Sequence, residues 1–348
     1  MTDPAGGDRT ATPAARHSST PKRVFMLGGT GTIGQATVQA LLQRGHEVVC
    51  FVRPRAGVKG RLGPDDSVSL LAGAEVRFGE VTEPASLARD GFRGESFEVL
   101  VSCLASRSGA PKDAWAIDHA AHVSALAAAK AAGVSQMVLL SALCVQKPLL
   151  AFQQAKLAFE KKLMESGVTY SIVRPTAFFK SLAGQVERVR HGKPYLLFGD
   201  GSLTACKPIS DRDLGNYLAD CLEQESLHNR VLPIGGPGGA ITPKQQGERI
   251  FALVGREPRF TQVPVALLDA VVGALSLAGH LLPKAAEKAE LARIGRYYAT
   301  ESMLLLNPET GQYDADATPS TGSDRLFDFY AELIEGTTSA ERGDHAVF

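Results

Sequence analysis

Arg23 to Gly34, RVFMLGGTGTIG, is the stretch from which the rest of the chain can be read. Val24 to Leu27 is an apolar run of strand length, and it passes directly into Gly28, Gly29, Thr30, Gly31, Thr32, Ile33 and Gly34. From about Thr32 to Arg44, Ile33, Val38, Leu41 and Leu42 recur at helical spacing, so the reading is a buried strand, a glycine turn and a helix. Gly29-x-Gly31-x-x-Gly34 fits the dinucleotide-binding fingerprint. In that pattern the first glycine permits the tight turn, the second lets a pyrophosphate approach the backbone, and the third lets the helix pack on the strand. The helix N-terminus adds free N–H groups and the positive end of its dipole. Gly28-x-x-Gly31-x-x-Gly34 fits the same residues equally well. A second strand, Glu47 to Val52, follows and ends at Arg53. An acidic residue there would hold a ribose 2′-hydroxyl, whereas a guanidinium suits a 2′-phosphate. Arg53, with Arg55 and Lys59 nearby, therefore predicts NADPH as the cofactor.

Outward from this unit, strands and helices alternate. Strands are expected at Ala74 to Phe78, Phe97 to Cys103, Gln136 to Ser141 and Thr169 to Arg174, with helices at Asp113 to Ala132 and Leu149 to Ser166. This order predicts parallel βαβ units, hence an α/β Rossmann-type doubly wound sheet over 23–175. Ser102, Leu104 and Ala105, where the fourth strand ends, and Pro175, Thr176 and Phe178, after the sixth, fall at the strand ends where such folds bind cofactor. Past Pro175 the alternation fades into a smaller α+β lobe, 176–335, with some return to the core. There Tyr195 to Phe198 and Leu203 to Ile209 flank Gly199-Asp200-Gly201-Ser202 as an expected hairpin. Helices are expected at Asp211 to Glu223, from Thr242-Pro243 onward and at Arg325 to Ile334. Val263 to Leu282 is apolar but interrupted by Asp269, which predicts a buried or interfacial helix rather than a span of about 20 residues.

The chain has 348 residues with 37 basic and 37 acidic side chains, and this zero net charge argues against a nucleic-acid surface. The five cysteines form no C-x-x-C or zinc spacing, so no metal site is expected and a reduced, cytoplasmic setting is. Residues 1–22 are rich in Ala, Pro, Thr, Gly and Ser and lack the apolar core of a secretory signal; they and 336–348 read as disordered tails. No nucleophile elbow, zincin motif or phosphate-loop lysine is present.

The carrying segments VFMLGGTGTIG, LLSALCVQKPLLAFQQAKLAFE, YSIVRPTAFFKSLAGQVE, GKPYLLFGDG, ACKPISDRDL, VLPIGGPG, IGRYYATESML and NPETGQYD span about Val24 to Asp314. On them the chain resembles the 3,8-divinyl (proto)chlorophyllide a 8-vinyl reductases, atypical NmrA-like short-chain dehydrogenases of chlorophyll and bacteriochlorophyll synthesis. Short-chain dehydrogenases carry a Ser at the end of strand five and a Tyr-x-x-x-Lys on the next helix. Here Ser141 and Lys156 stand at the first and last of these places, but Phe152 replaces the tyrosine. A phenol there protonates a carbonyl oxygen as hydride arrives, and a phenylalanine cannot. The resemblance implies NADPH-dependent reduction of a vinyl group on a magnesium tetrapyrrole, which has no such oxygen. It makes Lys156 and Ser141 the catalytic candidates. Phe152 and Phe179 become candidate pocket walls, and Lys180 and Lys207 candidate partners for the pigment carboxylate. Peripheral contact with a photosynthetic membrane is a further expectation. The short N-terminal tail points to a phototrophic bacterium. The alternative from the residues alone is a non-enzymatic NADP(H)-binding sensor or assembly factor.

Overall fold

The computed structural model describes residues 20–57, 60–280 and 282–339. Lys59 and most of the two tails lie outside them. Seven strands form one parallel sheet in the order β3-β2-β1-β4-β5-β6-β8. They are β1 (Arg23–Leu27), β2 (Glu47–Val52), β3 (Glu75–Phe78), β4 (Val99–Ser102), β5 (Gln136–Leu140), β6 (Thr169–Pro175) and β8 (Arg230–Ile234), with β7 (Tyr195–Phe198) standing apart. The principal helices are α1 (Thr32–Gln43), α2 (Pro64–Leu70), α3 (His122–Ala131), α4 (Ala151–Met164) and α5 (Asp211–Glu223). In the lobe they are α6 (Pro243–Leu253), α7 (Val265–Gly279), α8 (Pro283–Thr300) and α9 (Leu326–Glu335).

Because helices cover both sheet faces, the central strands are apolar on both sides rather than alternating with polar residues. Val24 and Met26 of β1 face Val38 and Leu41 of α1 and Leu214 and Leu218 of α5. Phe25 and Leu27 point the other way, into a layer with Ala125 and Ala129 of α3 and Phe159 and Leu163 of α4. The order of strands reverses between β1 and β4, which places the crevice for a ligand beyond Leu27 and Ser102. The helical run into α3 is not uniform: Trp115–Ala121 is wound as a π-helix.

The expected hairpin after residue 194 does not form. β7 pairs in parallel with β9 (Phe260–Val263), Tyr195 opposite Phe260. The Asp200 carboxylate accepts from the backbone N–H and hydroxyl of Ser202, so the turn closes on itself. Pro208, without an N–H, stands in the stretch read as the return strand, which makes only isolated bridges such as Cys206 to Ile241.

Residues 211–234 belong to the core. Ser210 caps α5 by accepting from the Asp213 N–H, and α5 lies against α1. A Cβ at Gly215 would stand 2.7 Å from the carbonyl carbon of Ala36, so the two helices touch backbone to backbone. The lobe has a core of its own, in which Tyr195, Leu197, Ile250, Phe251 and Tyr330 meet. α7 and α8 pack on each other as a helical pair. α7 has no buried residue, and Asp269 on it is ion-paired to Arg296 of α8. Among the described residues no helix is long and apolar enough to cross a membrane.

Candidate cofactor and active site

The glycine turn shows which of its glycines the protein needs for itself. Gly28 adopts φ +75°, and a Cβ there would lie 2.5 Å from the carbonyl carbon of Cys103 at the exit of β4. A Cβ at Gly34 would lie 2.1 Å from the carbonyl oxygen of Gly28. Gly28, rather than Gly29, is thus the turn glycine, since Gly29 has no positive φ and its Cβ would meet only side chains, the Cys50 sulfur at 3.3 Å first. Gly31 differs from both. Its φ is −76°, it is exposed, and a Cβ would meet only the Gly28 carbonyl oxygen, at 3.4 Å. It is the N-cap of α1, and no side chain caps the helix amides there. A cradle left open by glycine at an uncapped helix N-terminus fits a dinucleotide diphosphate. Thr30 and Thr32 are half-buried in this turn, while the Ile33 side chain packs into the core and leaves only its backbone to a ligand. Arg53 is exposed at the end of β2, with no ion pair among the described residues.

At the end of β4 Ser102 is fully buried, and its Oγ lies 2.8 Å from Nε2 of His122. Nδ1 of His122 is 2.9 Å from the carbonyl of Ile117, which can only accept, so Nδ1 carries the proton and Nε2 accepts from Ser102. Burial, helped by the nearby Lys156 charge, pushes His122 down to about 4, so the ring is neutral. Leu104 donates its N–H to the Ser102 oxygen at 3.3 Å, and Ala105 beyond it is exposed.

Lys156 of α4 reaches the carboxylate of Asp118, Nζ to Oδ1 3.0 Å. Asp118 sits on the π-helical turn, is buried, and accepts a second bond at Oδ1 from the Ser106 N–H at 3.2 Å. Burial opposes its charge, but Lys156 and the Ser106 N–H outweigh burial and hold the carboxyl below its usual range. Oδ2 of Asp118 is buried without a hydrogen-bond partner.

Ser141 is turned away from this ion pair. Its hydroxyl donates to Glu160 at 2.5 Å, and Glu160 is paired in turn with Arg174. With its proton committed to a buried carboxylate, Ser141 is an anchor for the end of β5, and its candidacy as a catalytic group is withdrawn. Thr176 is likewise committed, its hydroxyl donating to the carbonyl of Lys207 and its backbone N–H to the carbonyl of Ile234 in β8. Pro175 is buried, and Phe178 is half-buried against the core.

Two substrate candidates also change role. Phe179 is buried in the lobe core, its ring 5.7 Å from that of Phe329, so it is not a pocket wall. Lys207 is buried, and its ammonium donates to the carbonyl of Thr318 at 2.9 Å and the hydroxyl of Ser320 at 3.4 Å, so it ties two chain segments together. Lys180 is half-exposed and paired with Asp211 at 2.8 Å. Phe152 is half-buried against Cys144, Leu150, Ile294 and Tyr297. The last two come from α8. Both Ile294 and Phe152 crowd Gly109: a Cβ there would stand 2.9 Å from Ile294 Cδ1 and 3.4 Å from Phe152 Cδ1.

Asp118, His122 and the α8 residues are absent from the sequence-based site. An Asp and a His at i and i+4 in an alanine-rich helix were a readable signal for one inward-facing polar stripe. For α8 the signal was Ile294 and Tyr298 at the same spacing within IGRYYATESML.

A protein-family model described as NAD(P)H-binding matches residues 28–225. The structure of an NADPH-dependent quinone oxidoreductase from Escherichia coli, solved with NADPH, superposes with a TM-score of 0.63 over 89% of this chain and 99% of that one, at 20% identity, which establishes the shared fold. A photosystem II assembly factor of Synechocystis sp. is 25% identical over 255 residues, 71% of this chain and 72% of its own length. The chloroplastic divinyl chlorophyllide a 8-vinyl-reductase of Oryza sativa subsp. indica is 50% identical over 331 residues, 93% of this chain and 82% of its own length. This chain belongs to the NAD(P)H-binding family and, within it, to the divinyl chlorophyllide a 8-vinyl-reductases.

Proposed function

We infer that this chain is an NADPH-dependent oxidoreductase that reduces the 8-vinyl group of divinyl chlorophyllide a to an ethyl group. The observation that carries the reading is its likeness, over nearly the whole chain, to a vinyl reductase, at twice the identity it has to the assembly factor. The chemistry at position 152 supports it. A carbon–carbon double bond offers no oxygen to a phenol, and the chain has an apolar ring there, packed against further apolar groups.

Bound at the glycine turn, NADPH supplies the hydride. The chain's own residues do the rest. Gly31 and the amides at the start of α1 receive the diphosphate, and Arg53 meets the 2′-phosphate. The backbone at Leu104 and Ala105, and Pro175, Thr176 and Phe178 across the strand ends, border the nicotinamide. Lys156 keeps N–H groups beyond the one given to Asp118, and these suit the hydroxyls of the nicotinamide ribose. Its fixed charge also stabilises the negative charge that hydride addition spreads into a macrocycle. Phe152 and Ile294 form an apolar wall that orients the flat pigment against the cofactor. Lys180 is the remaining candidate for the pigment's carboxylate. The reading extends to a cytoplasmic protein that touches photosynthetic membranes peripherally, supported by the exposed apolar surface of α7, where Leu277 is 74% accessible. Protochlorophyllide, which shares the vinyl group, is the second candidate substrate.

The test is incubation with NADPH and each divinyl pigment, followed by chromatography. Monovinyl product with stoichiometric NADPH oxidation is expected. Binding of NADPH without turnover of either pigment would favour a sensor or assembly role.

A further inference from the structure

The reduction needs a proton as well as a hydride, and the usual phenol is missing at position 152. We propose that Tyr298 of α8 supplies it. The proposal rests on the reading of the Lys156–Phe152 crevice as the active site, and it follows from an account of where each proton near that crevice is held.

Ser102 gives its hydroxyl proton to His122, and His122 gives its one N–H to the carbonyl of Ile117. Ser141 gives its proton to Glu160. Lys156 is paired with Asp118, and loss of its proton would strand a buried carboxylate without a counter-charge. Tyr297 donates to the carbonyl of Cys144 at 2.9 Å, and Tyr313 to Glu301 at 2.6 Å. Tyr298 is the exception. Its one hydrogen-bond contact among the described residues is with the thiol of Cys144 at 3.8 Å, a weak partner for a phenol. Tyr298 as a residue is half-buried rather than sealed.

Its place in the fold agrees. Tyr298 lies one helical turn beyond Ile294, on the same face of α8, and Ile294 flanks Gly109 together with Phe152. Phe152 and Tyr298 pack against the same buried cluster of Cys144, Leu150, Ile294 and Tyr297. A phenol on α8 and an apolar ring on α4 thus share one cluster. Burial keeps the Tyr298 hydroxyl well above the usual phenol range, so it is fully protonated at neutral pH.

In the step, the π bond of the vinyl group breaks. One of its carbons takes the hydride of the reduced nicotinamide, and the developing carbanion takes the proton of Tyr298. The O–H electrons remain on the phenolate, which recovers a proton from solvent. The product is the ethyl group and the oxidised cofactor.

The test is Tyr298→Phe, with NADPH binding followed by fluorescence, pigment binding by absorbance, and turnover by chromatography. Turnover should fall by about a hundredfold or more, the usual worth of a positioned acid. Both dissociation constants should stay within about twofold. Tyr297→Phe, whose proton is already committed to a backbone carbonyl, should keep turnover. A fluorinated tyrosine at 298, which keeps the shape and acidifies the hydroxyl, should move the alkaline limb of the kcat profile to lower pH. Turnover of Tyr298→Phe within about threefold of the parent, or an alkaline limb that does not move, overturns the assignment. If Lys156→Ala also keeps full turnover, the crevice itself is not the active site. If Lys156→Ala is inactive and Tyr298→Phe active, only the donor is wrong.

Discussion

Lys156→Ala should destabilise the protein as well as silence it, and the two effects can be separated. Asp118 is fully buried at its side chain, Lys156 is 11% accessible, and their 3.0 Å contact is therefore little screened by solvent. Removing the ammonium leaves Asp118 with a single donor, the Ser106 N–H. Breaking a buried pair from one side costs about 3–5 kcal/mol. Whole-domain stability is of order 5–15 kcal/mol, so the variant should still fold. In the parent, the depressed Asp118 pKa contributes stability that is present above the unfolded carboxyl value of about 4 and is lost as pH falls through the folded one. In the variant the sign reverses. Burial is then the larger influence, the folded pKa rises above the unfolded one, and stability is lost as pH rises through it. Urea unfolding at about pH 5 and about pH 8 should therefore show a larger deficit at the higher pH. Adding Asp118→Asn, which keeps an acceptor for Ser106 without a buried charge, should recover about 2 kcal/mol at the higher pH. Turnover should stay lost in the double variant. A Lys156→Ala protein as stable as the parent at the higher pH, or a double variant no better than the single, would refute the argument.

Gly31→Val should retain the fold by circular dichroism and lose NADPH binding by fluorescence titration, because the space its side chain enters belongs to the ligand; unchanged affinity would remove the loop from the cofactor site. Arg53→Asp should weaken NADPH and narrow its preference over NADH, and equal use of both cofactors by the parent would contradict the reading of β2. Phe152→Tyr should keep vinyl reduction within about tenfold, or about 1.4 kcal/mol of barrier, since no phenol is needed there; a larger loss in the chromatographic assay would mean the ring's para position is already filled by substrate. Flotation with liposomes should be reduced by Leu277→Glu on α7, and parent protein that stays wholly with the lipid-free fraction would count against peripheral membrane contact.

What the sequence made readable was local. β1, the glycine turn and α1 are encoded in one continuous stretch, Arg23 to Gln43, and β2 ends where its apolar run does. Lys156 and Phe152 could be placed relative to one another because four residues separate them on one helix. The failures were of long range. Nothing near Tyr195 announces that its strand partner begins at Phe260, because parallel pairing leaves no turn to read. Lys207 and Phe179 carry chemistry suited to a pigment site, yet their neighbours Thr318, Ser320 and Phe329 are more than a hundred residues away along the chain. α8 has its apolar residues diluted by alanine, arginine and glutamate, so its inward face emerges only once Cys144 and Phe152 are seen beneath it.

The seventh strand of the sheet sets an order of events during synthesis. β6 is complete at residue 175, but its outer neighbour β8 leaves the ribosome only after another fifty or so residues, and so does α5, which covers the back of α1. Until then Val38 and Leu41 of α1, on the helix that receives the cofactor, lack Leu214 and Leu218. A fragment ending at 175 would therefore be a sheet with one raw edge and one bare face, prone to the association that unpaired edges invite. Truncation experiments that aim to isolate the cofactor-binding half should carry the chain through residue 234 and excise the lobe elsewhere.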